Sequence, residues 1–144
     1  MQLVHATSVA LGGHAVLIRG PSGSGKSDLA LRLMDGGATL VADDQTQVSA
    51  EGGRLYVGVP GSIAGMIEVR GIGVLRVPHL ARAPLALVVD LVPPEDVERM
   101  PEPSSAVFLG ILLPRLALAA FEASAAAKVR LAMGSATRDI MPLS

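Results

Sequence analysis

One stretch of eight residues, 20–27, limits the folds open to this chain more than any other part of its sequence. It reads Gly-Pro-Ser-Gly-Ser-Gly-Lys-Ser and matches the pattern G-x-x-x-x-G-K-[ST]. An apolar run at 15–18 predicts a strand before it, and apolar residues at helical spacing over 29–34 predict a helix after it. This order is typical of a phosphate-binding loop, with a purely structural glycine-rich turn as the alternative.

The small residues of this loop leave backbone N–H groups free to surround phosphate oxygens, and the following helix adds its positive N-terminal dipole. Lys26 can reach the β- and γ-phosphates of a nucleoside triphosphate, and the Ser27 hydroxyl can ligate Mg²⁺. The predicted nucleotide-binding residues are Gly20, Pro21, Ser22, Gly23, Ser24, Gly25, Lys26 and Ser27.

The composition fits one α/β domain and argues against nucleic-acid and membrane partners. Half of the 144 residues are hydrophobic and 17% are charged, which is enough apolar material for a buried core. A net charge of -1 and 2% aromatic residues provide neither a basic groove nor stacking platforms for nucleic acid. The apolar stretch 106–121 is interrupted by Pro114 and Arg115 and is too short to span a bilayer. We find no signal peptide and no cysteine, and we expect a cytoplasmic protein.

The pattern of apolar runs and turn residues predicts strands in the first two-thirds of the chain and a helix near its end. In order, we expect a hairpin over 3–11 and 15–18, the helix after the loop, a strand at 39–42 and a second hairpin over 45–49 and 54–59. We then expect a turn with a short helix at 60–67, a loop leading into a strand over 68–75 and a central strand at 85–92. The last part should contain one helical turn within 93–103, an apolar segment at 107–113 and a helix over 115–133. We expect residues 1–134 to form the catalytic domain and 135–144 to form a flexible tail.

Several polar residues stand at the ends of the predicted strands, where open α/β sheets place their sites. They are His5, Asp43, Asp44, Glu68, Arg70 and Arg115, with Arg115 expected at the start of the last helix. Phosphoryl transfer needs metal ligands, a group that accepts a proton and cations near the moving charge, and this set can supply all three. The alternatives are a strand histidine, a loop cap and a surface ion pair, and we interpret His14, His79 and Asp90 as structural.

Five landmarks in this order resemble the HPr kinase/phosphorylases, bacterial enzymes that phosphorylate a serine of a small phosphocarrier protein and also remove that phosphate with inorganic phosphate. They are His5 placed fifteen residues before Gly20, the loop itself, Val-Ala-Asp-Asp at 41–44, Glu-Val-Arg-Gly-Ile-Gly at 68–73, and Arg115 seven residues before Glu122. The resemblance covers about residues 4–130 and implies a single phosphate-loop domain of the HPr kinase/PEP carboxykinase-like fold, with a mixed β-sheet and flanking helices.

The resemblance also implies a role for each matching residue. Lys26 would contact the transferred phosphate of ATP, Ser27 and Glu68 would hold Mg²⁺, and His5 and Arg115 would complete the active site. Asp44 would be the general base, although Asp43 could equally serve. The segment 68–75 would be the element for dephosphorylation.

The expected function is therefore an ATP- and Mg²⁺-dependent protein-serine kinase acting on an HPr-like phosphocarrier of the phosphotransferase system. The alternatives are a nucleotide-binding regulator without catalysis and a small-molecule kinase with a phosphate loop. Members of the family are typically longer, so homo-oligomerisation and the identity of the carrier stay open.

Overall fold

The computed structural model describes residues 1–137, which form eleven strands and two α-helices. The strands are β1 (Gln2–Val4), β2 (Ala6–Leu11), β3 (His14–Arg19), β4 (Thr39–Ala42), β5 (Thr46–Glu51), β6 (Arg54–Gly58), β7 (Met66–Val69), β8 (Gly73–Arg76), β9 (Arg82–Leu91), β10 (Ser104–Phe108) and β11 (Ile111–Leu118). The helices are α1 (Lys26–Asp35) and α2 (Ala125–Ala136), and short 3-10 turns lie at Gly61–Ile63 and Pro94–Asp96.

Nine of these strands form one mixed sheet within residues 1–137. Its main path runs β1-β5-β6-β9-β3-β2-β4, and β7 and β8 form a separate hairpin. The long strand β9 organises the sheet, because its first residues pair with β6 while its later residues run parallel to both β3 and β11. The carboxyl ends of β3, β9 and β11 therefore lie side by side, at the edge where the glycine-rich loop begins.

Both faces of the parallel strands are covered by apolar side chains. Val16 and Ile18 of β3 point toward α1 and α2 and pack in one core with Leu29 and Val129. Leu17, which points the opposite way, packs in a second core under the β5–β6 and β10–β11 hairpins. A strand buried on both faces reads as a continuous apolar run, and that explains the sequence of β3.

The mixed α/β sheet with flanking helices that the sequence predicts is confirmed. Both early hairpins, the strand before the loop, the helix after it, the turn near 60 and the central strand all form. The helix α1 starts directly after Gly25, which has a φ of 102°, and ends at Gly36 and Gly37. No helix within the described residues is long and apolar enough to cross a membrane.

The expected helix over 115–133 is wrong in its first half. Residues Ile111–Leu118 form a strand, and the helix begins only at Ala125. Leu113 is buried between two exposed neighbours, which is the alternation of a strand. The proline at 114 fits there because β11 starts to pair with β9 only at Arg115, so no ladder bond to β9 is lost.

Two further boundaries differ from the sequence prediction. The segment 68–75, expected as a loop leading into a strand, is part of the β7–β8 hairpin, and its turn uses the positive φ of Gly71. The helix α2 extends to Ala136, beyond the expected domain end at 134. The rest of the expected tail, 138–144, lies outside the described residues.

Candidate active site

The glycine-rich loop joins the end of β3 to the start of α1 and folds around its own lysine. Lys26 is the first residue of the helix and is only 6% exposed. Its Nζ donates hydrogen bonds to the carbonyl oxygens of Gly20 at 2.8 Å and Pro21 at 3.2 Å. The ammonium group is thus held under the loop, where phosphate oxygens would meet the N–H groups of the helix start.

Two glycines of this loop stand close to neighbouring side chains. A Cβ at Gly20 would lie 2.5 Å from Ser24 Oγ, and a Cβ at Gly25 would lie 2.7 Å from the Cβ of Ala120. Gly25 also has a φ of 102°, a region that L-residues avoid. Added side chains at these positions would therefore press on Ser24 and Ala120 and displace the backbone atoms that a phosphate site needs.

Asp43 connects the loop to two neighbouring strands. Its carboxylate is 8% exposed and accepts hydrogen bonds from Ser27 Oγ at 2.6 Å, from Thr7 Oγ1 at 3.1 Å and from the backbone N–H of Glu68 at 3.0 Å. Three donors to one buried carboxylate compensate its desolvation and fix its position. Asp43 is therefore an immobile acceptor beside the hydroxyl of the phosphate loop.

Asp44 has a different environment from its neighbour. Its side chain is 62% exposed, and its Oδ1 lies 2.6 Å from Nε2 of His5, which is itself half exposed. The backbone of Asp44 has a φ of 67°, and its N–H donates to Thr7 Oγ1 at 3.1 Å. This left-handed conformation turns the second carboxylate away from the first, toward solvent and toward His5.

These groups border one open cavity of about 390 Å³ above the loop. Among the sequence-predicted site residues, those on its wall are Gly23, Gly25, Lys26, Ser27, Asp43, Asp44 and Glu68, together with Ser22 and Arg70. His5 reaches this cavity through its hydrogen bond to Asp44. A loop for phosphate, a hydroxyl–carboxylate pair and a carboxylate–imidazole pair therefore face the same space.

Arg115, in contrast, does not border this cavity. It lies on β11 instead of at a helix start, and its side chain shares a face with Leu113, on the side of the sheet away from α1. Its Nε donates to Asp90 Oδ2 at 2.5 Å, while Arg19 donates to the same carboxylate at 2.7 and 2.9 Å. Burial raises the pKa of Asp90, but the hydrogen bonds and positive charges of the two arginines outweigh burial and hold that pKa below its ordinary value of 3.8.

Replacing Asp90 with asparagine should destabilise the fold by about 1–3 kcal/mol at pH 7, because two half-buried guanidinium groups would lose their shared anion. The stabilisation is fully present above the unfolded pKa near 3.8 and is lost as the pH falls through the lower folded value. Urea unfolding at pH 7 and at stepwise lower pH would measure this. The difference between wild type and D90N should shrink below about pH 4, and a constant difference would contradict the pairing. Exposed Asp96, changed to asparagine, is the control.

Sequence reasoning missed two residues of this region. Thr7 donates a hydrogen bond to the Asp43 carboxylate and accepts one from the backbone N–H of Asp44, and the available signal was its place two residues after His5, on the same face of the predicted strand 3–11. Phe121 lies on the cavity wall and is 71% exposed, which is unusual for one of two phenylalanines in the chain. Asp90 was interpreted as structural, and its ion pairs with Arg19 and Arg115 agree with that.

The parallel strands that end at this loop place the chain in the class of phosphate-loop α/β proteins. The family model of the HPr Serine kinase C-terminal domain matches residues 1–101, and this chain belongs to that family. It is 43% identical over 77 residues to the HPr kinase/phosphorylase of Clostridium tetani and 44% identical over 78 residues to that of an Exiguobacterium species. Each match covers 54% of this chain, and the chain matches only about a quarter of the length of these relatives.

A solved structure of similar length agrees over nearly the whole chain. The Hpr(Ser) kinase/phosphatase from Coxiella burnetii is 27% identical, with a TM-score of 0.79, and the superposition covers 96% of this chain and 95% of that one. The HPr kinase-like fold expected from the sequence is therefore confirmed.

Proposed function

We propose that this chain is an ATP- and Mg²⁺-dependent protein-serine kinase that acts on an HPr-like phosphocarrier protein, with phosphorylase activity in the reverse direction. The observation that carries this proposal is the pair of unlike carboxylates on one cavity. Asp43 is buried and bonded to the loop hydroxyl, whereas Asp44 is exposed and bonded to a histidine. Phosphoryl transfer to a hydroxyl needs both kinds of carboxylate.

The residues present fit Mg²⁺. This ion takes hard oxygen ligands and usually few of them from protein, with substrate phosphates and water completing its shell. The Ser27 hydroxyl and the Asp43 carboxylate lie 2.6 Å apart next to the loop, and the Glu68 carboxylate lines the same cavity. When bound, Mg²⁺ supplies charge neutralisation for the transferring phosphoryl group. We assign its ligation to Ser27 and Glu68, with Asp43 beside Ser27 as a further oxygen ligand.

The protein's own residues would then divide the remaining work. Lys26 would hold the phosphate oxygens as a compact charge, and the exposed carboxylate of Asp44 would accept the proton of the incoming serine hydroxyl. His5 would orient that carboxylate and share the proton through its 2.6 Å contact. In the reverse direction Asp44 would return a proton to the seryl oxygen, because the same group must act as acid where it acted as base.

Arg115 takes a different role in this proposal from the one expected at the sequence level. Because Asp90 engages its guanidinium on the far side of the sheet, we assign Arg115 to stabilising the strands that end at the loop. Arg70 borders the cavity and is exposed, so it supplies the second cation near the phosphates.

Labelling with [γ-³²P]ATP, Mg²⁺ and purified phosphocarriers tests this function. We expect label on a carrier serine, its loss in Lys26→Ala, and its release when inorganic phosphate is added. Label on a metabolite alone would favour a small-molecule kinase. Binding of ATP with no transfer to any acceptor would favour a non-catalytic regulator. Either of these two results contradicts the protein-kinase proposal.

A further inference from the structure

A second cavity, of about 410 Å³, lies against the other side of the phosphate loop. Its walls come from the loop itself, from the segment that follows β9 and from the connection between β11 and α2. Eight of the ten residues that line it are apolar, three of them prolines, and the two polar ones are Ser24 and Glu122. This cavity therefore suits a flat and largely apolar group, unlike the charged cavity beside it.

One aromatic ring connects the two cavities. Phe121 lines both of them and is 71% exposed. An exposed phenyl ring next to a phosphate site is a stacking surface for a base, and every base offers a π-face to it. A molecule with phosphates in the first cavity and a ring system in the second would pass directly beside this side chain.

The segment that carries Phe121 is held in place before any ligand binds. Arg32 of α1 donates hydrogen bonds to the carbonyl oxygens of Ala120 and Glu122, the latter at 3.2 Å. The close approach of Gly25 to Ala120 packs the same segment on the phosphate loop. The distance from the phosphate cradle to the apolar cavity is therefore built into the fold.

A buried oxygen at the boundary of this cavity has no partner. Ser24 Oγ is inaccessible to solvent and makes no hydrogen bond within residues 1–137. It belongs to the phosphate loop and also lines the apolar cavity. The loop therefore carries an unsatisfied polar group where it borders the apolar cavity.

We propose that the apolar cavity holds the base of the nucleotide whose phosphates occupy the loop, with Phe121 against the ring. This inference rests on the nucleotide-binding function proposed above and names the base subsite of that function. Its walls are Val92, Pro93 and Pro94 on one side and the segment 119–122 on the other.

The chemistry of the walls predicts weak discrimination between purines. The prolines have no N–H group, and the backbone N–H groups of Ser24, Val92 and Glu122 already donate within the chain. The carboxylate of Glu122 already accepts from Lys128 at 3.0 Å. Because strong selectivity needs groups that read the edge of the base, ATP and GTP should bind with affinities within about five-fold of each other.

Calorimetric titration with Mg²⁺ and either ATP or inorganic tripolyphosphate, which lacks base and sugar, separates the two cavities. Val92→Gln should fill the apolar cavity without adding charge, and Phe121→Ala should remove the stacking surface. We expect each to weaken ATP by about ten-fold while tripolyphosphate changes by less than about two-fold. Leu131→Ala, on the exposed face of α2 and outside both cavities, is the control and should change neither.

Two results would overturn the placement of the base in this cavity. The first is an equal affinity of the wild-type protein for ATP and tripolyphosphate, and the second is an unchanged ATP affinity in both cavity variants. Either result would show that the base does not occupy this cavity, while phosphate binding at the loop would stand. A strong preference for ATP over GTP would contradict the predicted weak discrimination between purines and would show that the walls of this cavity read the edge of the base. Failure of the wild-type protein to bind either ligand would overturn the proposed function as well. Phe121 is exposed, so its variant should keep the wild-type melting temperature and stay informative.

Discussion

Replacing Asp44 with asparagine should lower phosphoryl transfer by about 10²- to 10⁴-fold while ATP affinity stays within about two-fold of wild type. Asparagine keeps the size of the side chain but cannot accept the serine proton as a carboxylate does. Because Asp44 is 62% exposed and contacts only His5 by its side chain, the change should leave the fold intact. Single-turnover transfer of labelled phosphate to the carrier serine would measure the rate, and calorimetry with ATP the affinity.

Two companion variants make this result specific. Asp35→Asn removes another exposed carboxylate, at the far end of α1, and should leave transfer unchanged. Asp43→Asn removes the negative charge beside the Ser27 hydroxyl and should raise the Mg²⁺ concentration needed for half-maximal transfer. Normal transfer in D44N, combined with a loss in D43N at saturating Mg²⁺, would instead assign the base to Asp43.

The first half of the fold could be predicted because its signals are local. The apolar run of β3, the glycines of the loop and the helical spacing of α1 follow one another within about twenty residues, and hairpin glycines mark the turns between strands. The residues after 104 offer one such signal, Gly110 in the two-residue turn between β10 and β11. Alanine and leucine suit a helix as well as a buried strand, and pairing with β10 on one side and with β9, distant in the chain, on the other makes β11 a strand.

The candidate site shows the same limit in its details. The sequence alone predicts that five site residues lie at neighbouring strand ends, and in the structure all five border one cavity. They are Lys26, Ser27, Asp43, Asp44 and Glu68. The sequence could not predict the different environments of the two aspartates. Their difference arises from the positive φ of Asp44 and from the hydrogen bonds of Thr7, which lies 37 positions before Asp44.

The position of Arg115 was predicted wrongly. Arg115 was expected to start a helix near the phosphates, but it lies in a strand, with its side chain on the far side of the sheet in an ion pair with Asp90. The order of elements in the sequence therefore predicts which strand ends lie together. The direction of the Arg115 side chain depends instead on the register of β11 against β9.

Gly25→Ala should reduce ATP affinity by about a hundred-fold or more, because a displacement of about 1 Å in a positioned site can cost that much. The added Cβ would lie 2.7 Å from the Cβ of Ala120 and 2.9 Å from Cζ of Phe121, so the loop and the segment 119–122 cannot both keep their positions. The substitution also forces alanine into a φ of 102°, which costs about 1–2 kcal/mol of stability by itself.

Gly37→Ala separates these two effects, because Gly37 has a similar φ of 109° but no atom within 4 Å of an added Cβ, and it lies at the other end of α1. We expect both variants to lose stability in urea unfolding, with the larger loss in G25A, and only G25A to lose ATP binding. Equal losses of affinity in the two variants would show that backbone strain transmitted along α1 is responsible. An unchanged affinity in G25A would mean that phosphates do not bind where this loop and the segment 119–122 meet.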